Sequence, residues 1–196
     1  MPRVQTPPVY HSNAEWLEVL CKRGFASKLN IDLDAHTILD ASRMLHRSVL
    51  DENGVEVGVE EYQLTNEQIE KYIDRYHYEL NALVKMGFVD YILLVYSYAN
   101  VGKRRGIARG SGGGSLINYL TNITNIDPIE HGLYFERFID VGALDRLASG
   151  EITAKELKVP DIDLDFSGES CKDVLMFLHN TYGADKVASI GKFGTN

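Results

Sequence analysis

Two cysteines, Cys21 and Cys171, are all that the 196-residue chain contains, and they lie far apart. That scarcity excludes a disulfide framework and a cysteine zinc site, and it fits a reducing cytoplasm. The six histidines show no ligand-like pairing. No apolar run reaches the roughly 18 residues that a bilayer span requires, so no membrane partner is expected. The opening residues, Met1-Pro2-Arg3-Val4-Gln5-Thr6-Pro7-Pro8, lack the apolar centre of a signal peptide. Positive charge is in deficit: 20 Lys and Arg against 28 Asp and Glu give a net charge of −8, a poor balance for a protein that grips nucleic acid unaided. Familiar phosphate motifs are missing too. No Gly-Lys-Ser/Thr triplet exists, so there is no Walker A loop. The glycine spacing also misses G-x-G-x-x-G.

What is present is ordinary in bulk. A hydrophobic fraction of 44% suits a globular protein, and the length allows one domain, or one and a fragment. The informative stretch is Pro160-Asp161-Ile162-Asp163-Leu164-Asp165-Phe166. On a strand, alternate residues share a face, so Asp161, Asp163 and Asp165 are expected to line up with Ile162 and Leu164 buried behind them. Like charges so arranged call for a hard cation such as Mg²⁺, which prefers carboxylate oxygen. An EF-hand is excluded, because Phe166 stands where its loop needs Gly and Lys172 where it needs Glu. The structural alternative is an acidic edge strand kept soluble by its charges.

The second chemical signal is Arg109-Gly110-Ser111-Gly112-Gly113-Gly114-Ser115. Glycines let backbone N–H groups approach an anion, and a helix starting near Ser115 would aim its positive end at the same place. Arg109 adds a guanidinium and the serines add hydroxyls, which together make a triphosphate cradle. Lys103, Arg104, Arg105 and Arg109 form a basic segment with no acid between them. A flexible linker is the competing reading of such a loop.

Around these signals the chain reads mostly as helices. Ser12 or Asn13 caps a helix through Leu17 and Leu20 that ends near Gly24. Asp51-Glu52-Asn53-Gly54 is a turn. Thr65 and Gln68 form a capping box, opening an amphipathic helix through Ile69, Tyr72, Ile73, Tyr76, Leu80 and Leu83 that Met86-Gly87-Phe88 interrupts. The apolar run from Tyr91 to Val101 is a buried helix or a strand, with helix preferred. A helix follows from Leu116 to Leu120, and Asp127-Pro128 turns the chain. Leu133 to Ile139 is a short strand or helix, 140–158 a polar surface insertion, and Val159 to Phe166 the acidic strand. Lys172 to Tyr182 is helical up to Gly183, and Val187, Ala188 and Ile190 suggest another strand.

Several of these pieces stand in one order: Met86-Gly87-Phe88, Arg109-Gly110-Ser111 with Ser115, Ile126-Asp127-Pro128, Phe135-Glu136-Arg137-Phe138, the acidic motif, and Phe193-Gly194-Thr195. In that combination the chain resembles the C-family replicative DNA polymerases, the bacterial polymerase III α-subunit and its phage relatives, from roughly Glu79 to Asn196. The resemblance implies an α/β fold: a polymerase-β-like nucleotidyltransferase palm with a mixed sheet flanked by helices, preceded by a helical N-terminal segment. The implied division is 1–65 for the lead-in and a thumb-like helical segment, and 66–196 for the palm. It implies transfer of deoxynucleotides from dNTP to a primer 3′-hydroxyl on primer–template DNA, with two Mg²⁺ ions, or Mn²⁺, held by Asp161 and Asp163. Asp165 is not counted as the third ligand. Nucleotide-binding residues would be Arg109, Gly110, Ser111, Ser115 and Arg137.

The departures carry equal information. The family's proteins are several times longer and supply a third metal-binding aspartate from a strand well downstream. The expectation is therefore a palm portion from a split or truncated gene product, in a bacterial cell or phage-infected host. It would be inactive alone and need a complementing chain with fingers and the third aspartate. Two other readings stand beside it: a different nucleotidyltransferase, and a non-catalytic interaction protein that keeps the palm scaffold.

Overall fold

Capping chemistry fixes most of the helix starts. The computed structural model describes residues 4–102, 106, 110–153, 156 and 158–187. Helix α1 spans Asn13–Gly24, with the Ser12 side chain accepting the Glu15 N–H, and it widens into a π-helical turn over Phe25–Leu29. Helix α2, Asn66–Met86, opens on the Thr65/Gln68 capping box with both reciprocal bonds made, and ends where Gly87 turns to φ 70°. The run left open between strand and helix is helix α3, Val89–Ala99, which leaves α2 at 110°. Its buried residues, Ile92, Leu93, Val95 and Ala99, recur at helical spacing. Then follow α4 (Leu116–Leu120), α5 (Ala143–Ala148) and α6 (Gly168–Tyr182). The last begins earlier than the apolar residues suggest, because Ser167 caps it through the Ser170 N–H.

The strands form two small antiparallel pairs. β1 (Ile31–Asp32) pairs with β2 (Thr37–Ile38), and β3 (Leu45–Leu50) with β4 (Glu56–Tyr62) in a register running from Leu45↔Tyr62 to Leu50↔Glu56. The expected turn closes this second hairpin: the Asp51 carboxylate accepts the Asn53 and Val55 N–H groups at 2.9 Å each. Val55, Val57 and Val59 are all exposed, so the hairpin stands out in solvent.

The mixed sheet expected from the resemblance is not formed among the described residues. The acidic stretch, expected as a strand, carries only isolated bridging positions at Asp163 and Phe166. A strand needs a ladder, and the one backbone bond described here runs from the Gly106 N–H to the Asp165 carbonyl at 2.9 Å. The fold is α/β in the coarser sense of helices with small sheets, which is compatible with a nucleotidyltransferase palm. Leu133 to Ile139 is neither strand nor α-helix but contains a 3-10 turn at Phe135–Arg137. The described residues of the 140–158 insertion include α5 and, apart from the buried Ala143, are exposed or half-buried. Lys103, Arg104, Arg105, Arg109, Ala188, Ile190 and Phe193-Gly194-Thr195 lie outside the described residues.

One hydrophobic core runs through these elements. It joins Leu17 and Phe25 to Ile69, Ile73 and Leu83 of α2, Ile92 and Leu93 of α3, Leu116 and Ile117 of α4, and onward to Phe135 and Ile162. α1 packs on α3 and α4, α2 on α4, and α3 on α6. Among the described residues no single helix is long and apolar enough to cross a membrane.

Candidate active site

The glycine loop is set by a charge pair on α2. Glu79 is fully buried, and both of its oxygens are saturated. Oε1 accepts the Arg75 Nε–H at 2.7 Å and the Leu116 N–H at 2.9 Å; Oε2 accepts the Ser115 hydroxyl at 2.8 Å and the Ile117 N–H at 3.1 Å. Burial pushes the Glu79 carboxyl up, while the two backbone N–H groups and the Arg75 guanidinium pull it back. Four donors aimed at its lone pairs favour the ionised carboxylate against that burial. Arg75 also reaches the carbonyls of Gly114 at 2.7 Å and Leu133 at 3.2 Å. The pair thereby ties the loop to the chain that precedes Phe135.

This arrangement corrects one expectation about the loop. The N-terminus of α4 does not face a ligand, because the Glu79 carboxylate already occupies it. Ser115, expected among the nucleotide contacts, is completely buried: it donates to Glu79 and accepts the Asn118 N–H at 3.2 Å. Gly112-Gly113-Gly114 is a buried 3-10 turn rather than a flexible linker. A Cβ on Gly114 would lie 2.5 Å from the Tyr134 carbonyl oxygen, so two stretches of backbone meet there and only glycine fits.

Gly110, Ser111 and Arg137, by contrast, come together. They line a cavity of about 330 Å³ with Gly114, Leu133 and Tyr134. Gly110 adopts φ 75°, ψ −162°, a region open essentially to glycine alone. A Cβ there would stand 3.1 Å from Asp163 Oδ2. The loop and the acidic stretch are therefore neighbours in an antiparallel sense: Gly102 lies against Phe166, Gly106 against Asp165, Gly110 against Asp163 and Gly112 against Ile162. The alternation holds as a pattern of burial, with Asp161, Asp163 and Asp165 exposed, Ile162 buried and Leu164 half-buried. Arg109, expected beside Gly110, lies outside the described residues.

Two tyrosines of α3, Tyr91 and Tyr98, back the aspartates. Burial raises the Tyr91 hydroxyl pKa, the Asp161 and Asp163 charges add to it, and the nearby Ile162 N–H opposes it. Tyr98 is pushed up to about 12, first by burial, then by Tyr91 and Asp161. Among the described residues no three His, Cys, Asp or Glu side chains gather as a metal-binding group, so the three aspartates share a face without converging. Asp161 and Asp163 are exposed hard-oxygen donors with no ion pair among the described residues. Their chemistry fits two ligands of a divalent cation such as Mg²⁺.

The remaining motif residues are architectural. Asp127 accepts the Tyr72 hydroxyl at 2.7 Å and the N–H groups of Ile129 and Glu130, which binds the Asp127-Pro128 turn to α2. In Phe135-Glu136-Arg137-Phe138, Phe135 is buried between the rings of Tyr78 and Phe138, and Glu136 accepts the Tyr78 hydroxyl at 2.7 Å. That anchoring leaves Arg137 exposed at the cavity.

The same stretch of chain carries the similarity to known proteins. The family described as "Bacterial DNA polymerase III alpha NTPase domain" matches residues 43–196. DNA polymerase III subunit alpha of Thermus aquaticus is 39% identical over 130 residues, covering 64% of this chain and 10% of that protein. The Yersinia pestis subunit is 41% identical over 126 residues, 62% of this chain and 10% of its own length. The Bacillus subtilis subunit is 37% identical over 130 residues, again 64% and 10%. The chain thus spans about a tenth of the length of these relatives. With the match covering well over half of its residues, the chain belongs to the bacterial DNA polymerase III alpha family.

Proposed function

We propose that this chain is the palm portion of a DNA-directed DNA polymerase, transferring dNMP from dNTP to a primer 3′-hydroxyl on a DNA template. The observation that carries the reading is the apposition of Gly110 and Asp163, with Arg137 in the same cavity. It sets anion-binding donors beside carboxylates, which is what a nucleoside triphosphate and its counter-ions require together. Asp161 and Asp163 would hold Mg²⁺, which when bound supplies Lewis acidity toward the primer hydroxyl and the phosphates. The N–H groups around Gly110 and the Ser111 hydroxyl donate to phosphate oxygens. Arg137 neutralises charge that builds on the departing pyrophosphate, and Arg109 is assigned to the same task. Ser115 acts on the loop through Glu79 and Asn118 rather than on the nucleotide. Nothing in this scheme needs a histidine base.

A third carboxylate and the fingers would come from a complementing chain or a longer polypeptide, so the 196-residue chain alone should be inactive. The test is primer extension by the chain alone, by the chain mixed with the remainder of a family polymerase, and by the mixture carrying Asp161→Ala. The expected result is activity only in the unsubstituted mixture. Appreciable extension by the chain alone, or by the Asp161→Ala mixture, refutes the assignment.

A further inference from the structure

Tyr134 is the most exposed aromatic residue among those described, at 69%. It forms a ridge between the cavity lined by Gly110, Ser111 and Arg137 and a second one, of about 260 Å³, that Lys71 and Arg75 border. Its position is fixed from both sides. The Tyr134 carbonyl abuts Gly114 and accepts the Arg137 N–H at 3.4 Å, and the next residue, Phe135, is fully buried. The neighbouring core position is therefore filled, and the Tyr134 ring has no route inward. Among the described residues the ring has no aromatic or cationic partner and the hydroxyl no hydrogen bond. An aromatic face with only two side-chain torsions, carried on a fixed backbone and held in solvent beside anion-binding donors, suits one kind of ligand part: a flat heterocycle attached to phosphates.

We infer that Tyr134 stacks on the base of the nucleoside triphosphate whose phosphates lie at Gly110, Ser111 and Arg137. This rests on the nucleotide reading given above and adds to it the surface that senses the base. The experiment is calorimetric titration of the 196-residue chain with Mg²⁺-dATP and, separately, with Mg²⁺ and inorganic tripolyphosphate. Tyr134→Ala and Tyr134→Phe are compared with the unsubstituted protein, and because the ring is exposed both should fold. The unsubstituted chain should prefer dATP to tripolyphosphate by roughly tenfold, the size of one base–ring stack. Tyr134→Ala should abolish that preference and leave tripolyphosphate affinity unchanged, while Tyr134→Phe should keep it. Equal affinity for both ligands, or a preference that survives Tyr134→Ala, overturns the inference and leaves the phosphate site standing. Binding of neither ligand overturns both the inference and the nucleotide reading beneath it.

Discussion

Replacing Glu79 by Ala should be among the most damaging single substitutions in this chain, although Glu79 touches no solvent and no expected ligand. The substitution removes the acceptor of four donors at once: the Ser115 hydroxyl, the Leu116 and Ile117 N–H groups, and Arg75 Nε. It also strands a guanidinium whose side chain is 20% exposed. Removing one partner of a buried pair costs about 3–5 kcal/mol, which for a chain of this size is a fall of roughly 6–20 °C in the thermal midpoint. Circular dichroism melts and urea titrations would measure it. The double variant Arg75→Met/Glu79→Leu separates the two parts of the effect. It removes the stranded charge but still leaves the α4 donors without an acceptor, so it should recover only part of the loss. Replacing Glu60, which pairs with Arg47 on the exposed hairpin, should leave the midpoint almost unmoved. A Glu79→Ala protein as stable as the parent, or full recovery in the double variant, would refute the assignment of Glu79 as the internal cap of α4.

Gly114→Ala sets a methyl 2.5 Å from a backbone carbonyl. It should cost about 1–3 kcal/mol by overcrowding, and an unshifted urea midpoint would contradict that. Cys21 is buried and its thiol is held well up, by burial first and then by Glu79 and Glu18, whereas Cys171 is exposed. Ellman's reagent should therefore find one thiol per native chain and two in denaturant, and two in the native state would show the core to be open. The Tyr78–Glu136 bond raises the Tyr78 phenol to about 12 and lowers the Glu136 carboxyl. Its contribution to stability should hold at neutral pH, fade as pH rises from the ordinary phenol value toward 12, and fade in acid as pH falls through the lowered carboxyl value. Tyr78→Phe should shrink both limbs of a urea-midpoint profile against pH, and a profile identical to the parent's would remove the bond from the account.

Local signals in the sequence proved reliable where the physics is local. Ser12, the Thr65/Gln68 box, Gly87 and Gly183 mark helix ends because caps are made by residues within one turn. The β3–β4 hairpin shows most plainly through its Asp51-Glu52-Asn53-Gly54 turn. The alternation of Val57 and Val59 along β4 is a strand signal of its own, although their side chains face water rather than the core. The acidic stretch shows the complementary limit. Alternation tells which side chains share a face, and Asp161, Asp163 and Asp165 do; it says nothing about which backbone, if any, completes the ladder.

The glycine loop shows why a motif leaves the part each residue plays open. A serine before a helix can serve as a cap or as a phosphate donor, and the choice depends on what already occupies the helix N-terminus. Here the occupant is Glu79, nearly forty positions earlier in the chain. A signal for it did exist in the sequence: Tyr72, Tyr76, Glu79 and Leu83 follow the three- and four-residue spacing of the buried stripe of α2. A carboxylate on an apolar stripe must find donors inside the protein. An Arg four residues before it, by contrast, reads as an ordinary surface pair. A buried Glu79 predicts a buried cluster of N–H groups to meet it, and a glycine-rich turn leads into a helix at Ser115. The phosphate-binding task would then fall to Gly110, Ser111 and Arg137, the residues that line the cavity.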